Sequence, residues 1–362
     1  MSRDHSVDAA RAVAIGGVVG GHWLVTGLVL DQHGVLRQVS PLTVMPGFAP
    51  VSWLLQTLGL FFFAGGFAAA RSGRRLDLRR LVRPVMLLLG LWAAGLAVAA
   101  GCGVPRATLR TIAVLVVSPL WFLLPYLALT AATRPLTRVV DRAGPVVALA
   151  GVPVVALADL RLVSGWVAVP AAWSVPWILG VAMARGRLRG GFGLTVTGVA
   201  GMVVLIVLLG YPASAVGVPG QHRSNLDPPS LLAVALATAQ IGVFRLVRPW
   251  LMRPRRLPAA VSRRALPIYL THQSVLVLVT AVAAAAGTRP AGLLSTPAGP
   301  AWAAQRLLWL PLFATLLVTL VRAPAHLNSS LRGMLPYGSP PREPPVPGRL
   351  VGGDRCARWR SS

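Results

Sequence analysis

An all-helical integral membrane protein of about ten transmembrane helices is the fold class this sequence predicts, and three observations carry it. Of 362 residues, 55% are hydrophobic and 12% charged, against about 25% charged in a soluble globular chain. Apolar runs of roughly 17–24 residues recur from end to end, each long enough to cross a hydrocarbon core about 30 Å thick. The basic residues between them alternate: 28 of the 35 fall on one side of the implied topology and seven on the other. That bias marks cytoplasmic loops, so both termini are expected in the cytoplasm and the protein in the plasma membrane.

The runs follow in order. The first, 8–30, starts beside Arg3 and Arg11 and lacks a small-residue cleavage site, which predicts a retained anchor. Run 50–70 carries Leu60-Phe-Phe-Phe-Ala-Gly-Gly-Phe67 and is followed by a basic loop from Arg71 to Arg83. Run 84–101 opens on Pro84, a residue suited to a helix start. Arg134, Arg138 and Arg142 separate runs 111–132 and 144–160. Gly151-Val-Pro153 and Asp159-Leu-Arg161 interrupt 144–160 and 164–184, the two least regular runs. Arg185, Arg187 and Arg189 precede 192–211, and the densest basic cluster, Arg245 to Arg264, surrounds the gap after 230–248. Runs 264–286 and 302–322 complete the set. Residues 1–325 are read as one transmembrane domain, and 326–362, rich in Pro, Gly and Arg, as a disordered cytoplasmic tail.

The net charge of +26 raises nucleic acid as a partner. The charges lie between apolar segments and form no stripe on a polar domain, so no nucleic acid is expected. Every basic residue is Arg, as a GC-rich coding sequence would give. Cys102 and Cys356 fall on opposite sides of the topology, which argues against a disulfide. No metal-ligand spacing occurs, and no metal is expected.

Five features are candidates to carry chemistry. Arg11 and His22 lie eleven residues apart, which at about 100° per residue puts both on one helix face, roughly 16 Å apart along the axis. With Arg11 at the interface, His22 falls near mid-membrane, where ionisable groups usually mark a pathway or site. A neutral imidazole there can act as general base on an acceptor hydroxyl; direct attack to an acyl-histidine is a second route, and an inter-helix hydrogen bond the structural one. Asp8, three residues before Arg11, either pairs with it as an interfacial anchor or leaves it facing a polar entrance. Arg80 and Arg83 share a face at i and i+3 before Pro84. They suit a phosphate-bearing ligand at a helix N-terminus, or serve only orientation. His272, with Tyr269 three residues before it, reaches similar depth in run 264–286, for a cavity shared with His22 or for a tertiary hydrogen bond. Trp121 and Phe122 suit packing of an acyl chain or of neighbouring helices. The polar loop Gln221-His222-Arg223-Ser224-Asn225 is a candidate acceptor mouth or a plain connector.

Together these residues resemble the acyltransferase type 3 family of polytopic membrane O-acyltransferases, over residues 3–322. The resemblance rests on Asp8-Ala-Ala-Arg11 with His22 ten intervening residues on, Arg80-Leu-Val-Arg83, the Phe-rich stretch 60–67, Leu120-Trp-Phe-Leu123 and Ile268-Tyr-Leu-Thr-His272. Many members have Ser-Gly-Phe where this chain has Gly65-Gly66-Phe67. The resemblance implies an acyl-CoA co-substrate entering from the cytoplasm, no other cofactor, and His22 as the catalytic residue. Arg11, Arg80 and Arg83 would serve the donor or the cavity, with Asp8, Trp121, Tyr269 and His272 in support. The expectation is transfer of an acetyl or short-chain acyl group to a hydroxyl of a glycan, lipid or natural product, as in bacterial envelope modification. The rival readings are a ten-span secondary transporter and an acyl-group flippase. Against the transporter, the acidic residues lie at span ends, in loops or in the tail, where carboxylate-based proton coupling is hard to assemble.

Overall fold

Asp4 starts the first helix: its carboxylate accepts from the backbone N–H groups of Ser6 and Val7, and α1 runs His5–Val25. Arg248 donates to the same carboxylate at 2.9 Å and to Ser6 Oγ at 3.2 Å. Burial works against the charged form of Asp4, yet Ser6 and Arg248 hold its carboxyl below the ordinary range. In the computed structural model the described residues are 3–72, 78–218 and 224–334, without the side chains of 80 and 323–334. Contacts divide the chain into 1–321 and 322–362, and everything below concerns the first unit.

The expected first run, 8–30, is overturned at its end. Helix α1 stops at Val25, and β1 (Gly27–Leu30) pairs antiparallel with β2 (Leu36–Val39), Gly27 opposite Val39 and Leu30 opposite Leu36. The cause is local. The Asp31 carboxylate accepts from the backbone N–H groups of His33 and Val35, both at 2.9 Å, and Gly34 takes φ +72°, so the chain turns back. The Val35 N–H and the Arg37 guanidinium hold the Asp31 carboxyl below its ordinary range. Two short helices, α2 (Pro41–Val44) and α3 (Val51–Leu55), return the chain to α4 (Leu58–Ser72).

The remaining helices are α5 (Leu78–Gly101), α6 (Arg106–Val117), α7 (Leu123–Ala143), α8 (Gly151–Asp159), α9 (Gly165–Ala184) and α10 (Phe192–Val203). They are followed by α11 (Leu231–Leu251), the short α12 (Arg256–Arg263), α13 (Ala265–Ala285) and α14 (Pro300–Met334). Among the described residues, seven helical stretches are long and apolar enough to cross a membrane. One of them, Arg106–Asp159, spans 54 residues and takes in two of the ten expected runs, joined through 3₁₀ turns at Ser118–Phe122 and Gly144–Ala150. The expected run 192–211 is a shorter apolar helix, Phe192–Leu208, whose last turn is π-helical. Helix α1 is not among the seven; glycines and ionised residues dilute its apolar character. Pro84, expected to open a helix, lies inside α5. The tail from 335 onward lies outside the described residues.

The core is set by α4 against α9, whose backbones touch. A Cβ on Gly66 would stand 2.2 Å from the Trp177 carbonyl oxygen, and one on Gly180 2.1 Å from that of Phe63. Small residues at such crossings let van der Waals packing do what the hydrophobic effect cannot do in lipid. Around the crossing, Phe62 stacks on Trp173 with ring centroids 5.1 Å apart, and Tyr126 meets Trp177 edge-on at 5.2 Å. Gly65 explains the departure from Ser-Gly-Phe: a Cβ there would lie 2.8 Å from both the Trp177 and Tyr126 rings. Gly180→Ala is expected to push α4 from α9 at a cost of about 1–3 kcal/mol, as overpacking does. Thermal unfolding in detergent measures it, and an unchanged midpoint would contradict the close crossing.

Candidate active site

His22 sits in the last turn of α1, where glycines admit a neighbour closely. Thr57 Oγ1 donates to the Ala14 carbonyl at 2.7 Å, and its side chain fills the space a Cβ on Gly17 would need. Leu55 lies over Gly20 and Gly21. The α3–α4 junction thus packs onto α1 and forms one wall beside His22.

Helix α13 supplies the facing wall. The His272 ring lies 5.0 Å from that of His22, centroid to centroid, tilted by 51°. Trp23 Nε1 donates to the His272 carbonyl at 2.9 Å, fixing the two helices in register. His272 Nδ1 lies 2.5 Å from the Tyr269 carbonyl, and since a carbonyl only accepts, Nδ1 carries the hydrogen. His272 Nε2 is then an acceptor, buried and without a partner among the described residues. The Gln273 side chain reaches His22 Nδ1 at 3.2 Å through its nitrogen, leaving its oxygen unpartnered among the described residues. Rotation of the amide exchanges the two atoms. With the oxygen toward Nδ1, His22 keeps Nδ1–H and presents Nε2 as a free base.

Two chambers lie nearby, one lined by His22 and both lined by Tyr269. The first, about 100 Å³, is lined by His22, Ser52, Leu55, Gln56, Trp121 and Tyr269, with Val216 and Leu226 also contributing. The second, about 260 Å³, is lined by Arg11, Arg263, Ser262, Leu81, Phe122 and Tyr269 among others. Tyr269 lines both. Its hydroxyl donates to the Pro119 carbonyl at 2.6 Å and its ring lies 4.2 Å from that of Phe122. The 3₁₀ turn at Ser118–Phe122 sends Trp121 to one chamber and Phe122 to the other.

The structure brings together His22, His272, Tyr269 and Trp121, and places Arg11 at the second chamber. Of the two readings for Asp8 and Arg11, the direct pair does not form among the described residues. Asp8 bonds Arg3 at 2.5 Å, and Arg11 donates instead to the Ala64 carbonyl of α4 at 3.3 Å. Arg80 and Arg83 occupy the first two turns of α5. Arg83 is exposed and lines neither chamber, while the Arg80 side chain lies outside the described residues. So do Gln221, His222 and Arg223 of the polar loop. Among the described residues, no His, Cys, Asp and Glu cluster could hold a metal ion.

Sequence reasoning missed Gln56, Arg263, Gln273 and Arg306. Arg263 was hidden in the basic run before α13. Gln273 adjoins a histidine already singled out, and that was its only signal. Gln56 lines the first chamber with its side-chain nitrogen unpartnered among the described residues. Arg306 is fully buried and donates to three carbonyls: Trp23 at 2.7 Å, Thr26 at 2.7 Å and Gly292 at 2.9 Å.

A helical, multi-pass membrane protein with its candidate reactive side chains gathered at one histidine pair is the class these features define. The chain belongs to the acyltransferase type 3 family, whose acyltransferase-domain model matches residues 4–323. It is therefore a membrane acyltransferase. No curated protein and no solved structure matches the chain.

Proposed function

We propose that this protein is a plasma-membrane O-acyltransferase of ten spans with both termini cytoplasmic. It moves an acetyl or short-chain acyl group from acyl-CoA to a hydroxyl of a glycan, lipid or natural product. The single observation that carries the reading is that His22 lines a chamber which shares Tyr269 with a second, arginine-lined chamber. Arg11 and Arg263 suit the phosphates of CoA entering from the Arg-rich side, with Arg80 and Arg83 attracting the donor at the approach. The first chamber, lined in part by Val216 and Leu226, whose loop the expected topology puts on the opposite side, suits the acceptor.

In the reaction, His22 Nε2 takes the proton from the acceptor hydroxyl as its oxygen attacks the thioester carbon. The Gln273 oxygen holds Nδ1–H, and His272 packs against the ring. The Gln56 nitrogen, unpartnered among the described residues, donates to the carbonyl oxygen as it becomes an oxyanion. Collapse forms the ester, breaks the C–S bond and returns the proton from His22 to the CoA thiolate. Transfer completed on the protein distinguishes this scheme from a flippase.

The test supplies purified protein in detergent with labelled acyl-CoA and total envelope lipid and glycan. Free CoA thiol and a labelled ester are expected, and the labelled species identifies the acceptor. Arg11→Ala is expected to raise the KM for acyl-CoA about tenfold, the loss of one charge-assisted hydrogen bond. Substrate flux without CoA release would overturn the reading in favour of a transporter, and unchanged affinity in Arg83→Ala would remove that residue from the donor path.

A further inference from the structure

A third cavity, about 150 Å³, shares Val25, Ser52 and Leu55 with the His22 chamber. Its inner wall is buried, formed by Leu42, Met45 and Trp302, while Phe48, Val51 and Leu307 at its outer end are exposed. Three of its side chains carry polar atoms, and each is already engaged. Ser52 Oγ donates to the Ala49 carbonyl and accepts from the Ala215 N–H. Trp302 Nε1 donates to the Ser295 carbonyl, and Arg306 to its three carbonyls. A sugar or charged group here would lose its hydrogen bonds to water and gain none.

We propose that this cavity receives the acyl chain of the donor and makes the enzyme selective for chains on the order of six carbons rather than acetyl, since an apolar cavity of roughly this volume accommodates a six-carbon ring. The inference rests on the acyl-CoA reading above and deepens it. Direction favours the donor chain over an apolar acceptor. With its carbonyl at His22 and its phosphates toward Arg11, a thioester sends its tail first past Val25 and Leu55, apolar surface on apolar surface. A lipid alcohol entering from the outer end would lead with its hydroxyl through a passage that offers it no partner.

The experiment measures kcat/KM over a series of straight-chain acyl-CoA donors from acetyl to decanoyl, for wild type and Ala303→Phe, whose new ring would occupy the cavity lined by Ala303. In wild type, kcat/KM is expected to rise roughly fourfold per methylene, the equivalent of about 0.8 kcal/mol each, to a maximum near hexanoyl. In the variant the hexanoyl-to-acetyl ratio is expected to fall at least tenfold. Preference for acetyl in wild type overturns the proposal even if the variant fails to fold. An unchanged ratio in a folded variant also overturns it, as does a raised KM for the acceptor with chain preference intact, which would assign the cavity to the acceptor. No thioester cleavage at any chain length would instead overturn the acyl-CoA reading, and the proposal with it.

Discussion

His22→Ala is expected to lower acyl transfer by about 10²- to 10⁴-fold, the range a positioned general base contributes, while leaving the protein folded. The second half of that expectation distinguishes a chemical role from a structural one. Among the described contacts, the His22 side chain makes one hydrogen bond, to Gln273, and one ring contact, with His272. The supports of α1 lie elsewhere: Trp23 on the His272 carbonyl, Thr57 on the Ala14 carbonyl and Arg248 on Asp4. The measurement pairs CoA release with thermal unfolding in detergent. A slow variant with an unshifted midpoint is the expected result. Equal rates in wild type and variant would remove His22 from the chemistry and leave His272, whose Nε2 is unpartnered among the described residues, as the candidate base. Gln273 refines the comparison. Gln273→Leu cannot hold Nδ1–H and is expected to lower kcat with little effect on KM, whereas Gln273→Glu keeps an acceptor there and restores the rate.

Much of this arrangement was legible in the sequence because it depends on spacing. The step from Arg11 to His22 puts both on one face of any α-helix, and the structure places one at each chamber. The depth of His272 in its run anticipated its meeting with His22. Features that depend on which helix turns toward which were not legible. Asp8 is within reach of Arg11 by helical spacing and of Arg3 by the path of the chain before the helix; the second contact forms, and no periodicity reports it. The end of α1 was misjudged because Gly27–Leu30 is as apolar as the helix before it. The signal that ends the helix is the Asp31–Gly34 turn beyond, whose bonds close a hairpin. Gly65 looked like a lost polar group and is instead the space that lets two aromatic rings approach α4. Arg306 looked like one of seven arginines outside the cytoplasmic loops, because burial cannot be read from residue type.

Arg306→Met is expected to be the most destabilising single substitution at the site, by a few kcal/mol. Two effects oppose one another. A charged side chain in a membrane helix costs about 2.5–3.5 kcal/mol on insertion scales, and methionine, unbranched and adaptable, removes that cost while retaining bulk. Against this, the guanidinium is the donor for the carbonyls of Trp23, Thr26 and Gly292 in a fully buried site. Each carbonyl left without a partner costs about 1–3 kcal/mol, so the three together outweigh the gain. Two of them belong to the end of α1, where orphaned carbonyls and the negative end of the helix dipole both call for a cation. Arg306 is thus a helix cap supplied from α14, and its stacking near Phe313, 5.3 Å from guanidinium carbon to ring centroid, adds a cation–π contribution. Lysine keeps the charge but offers no planar fork, so it cannot span three acceptors. Arg306→Lys is therefore expected to fall between methionine and wild type in thermal unfolding. Because Trp23 is bonded through both its carbonyl and its indole, loosening the cap also frees the residue beside His22. With acetyl-CoA, whose acyl group is too short to fill the cavity beside Arg306, transfer in Arg306→Lys is accordingly expected to lose kcat rather than donor affinity, since Arg11 and Arg263 line a different chamber. A lysine variant with wild-type kcat and a raised KM for acyl-CoA would show instead that Arg306 serves the donor directly.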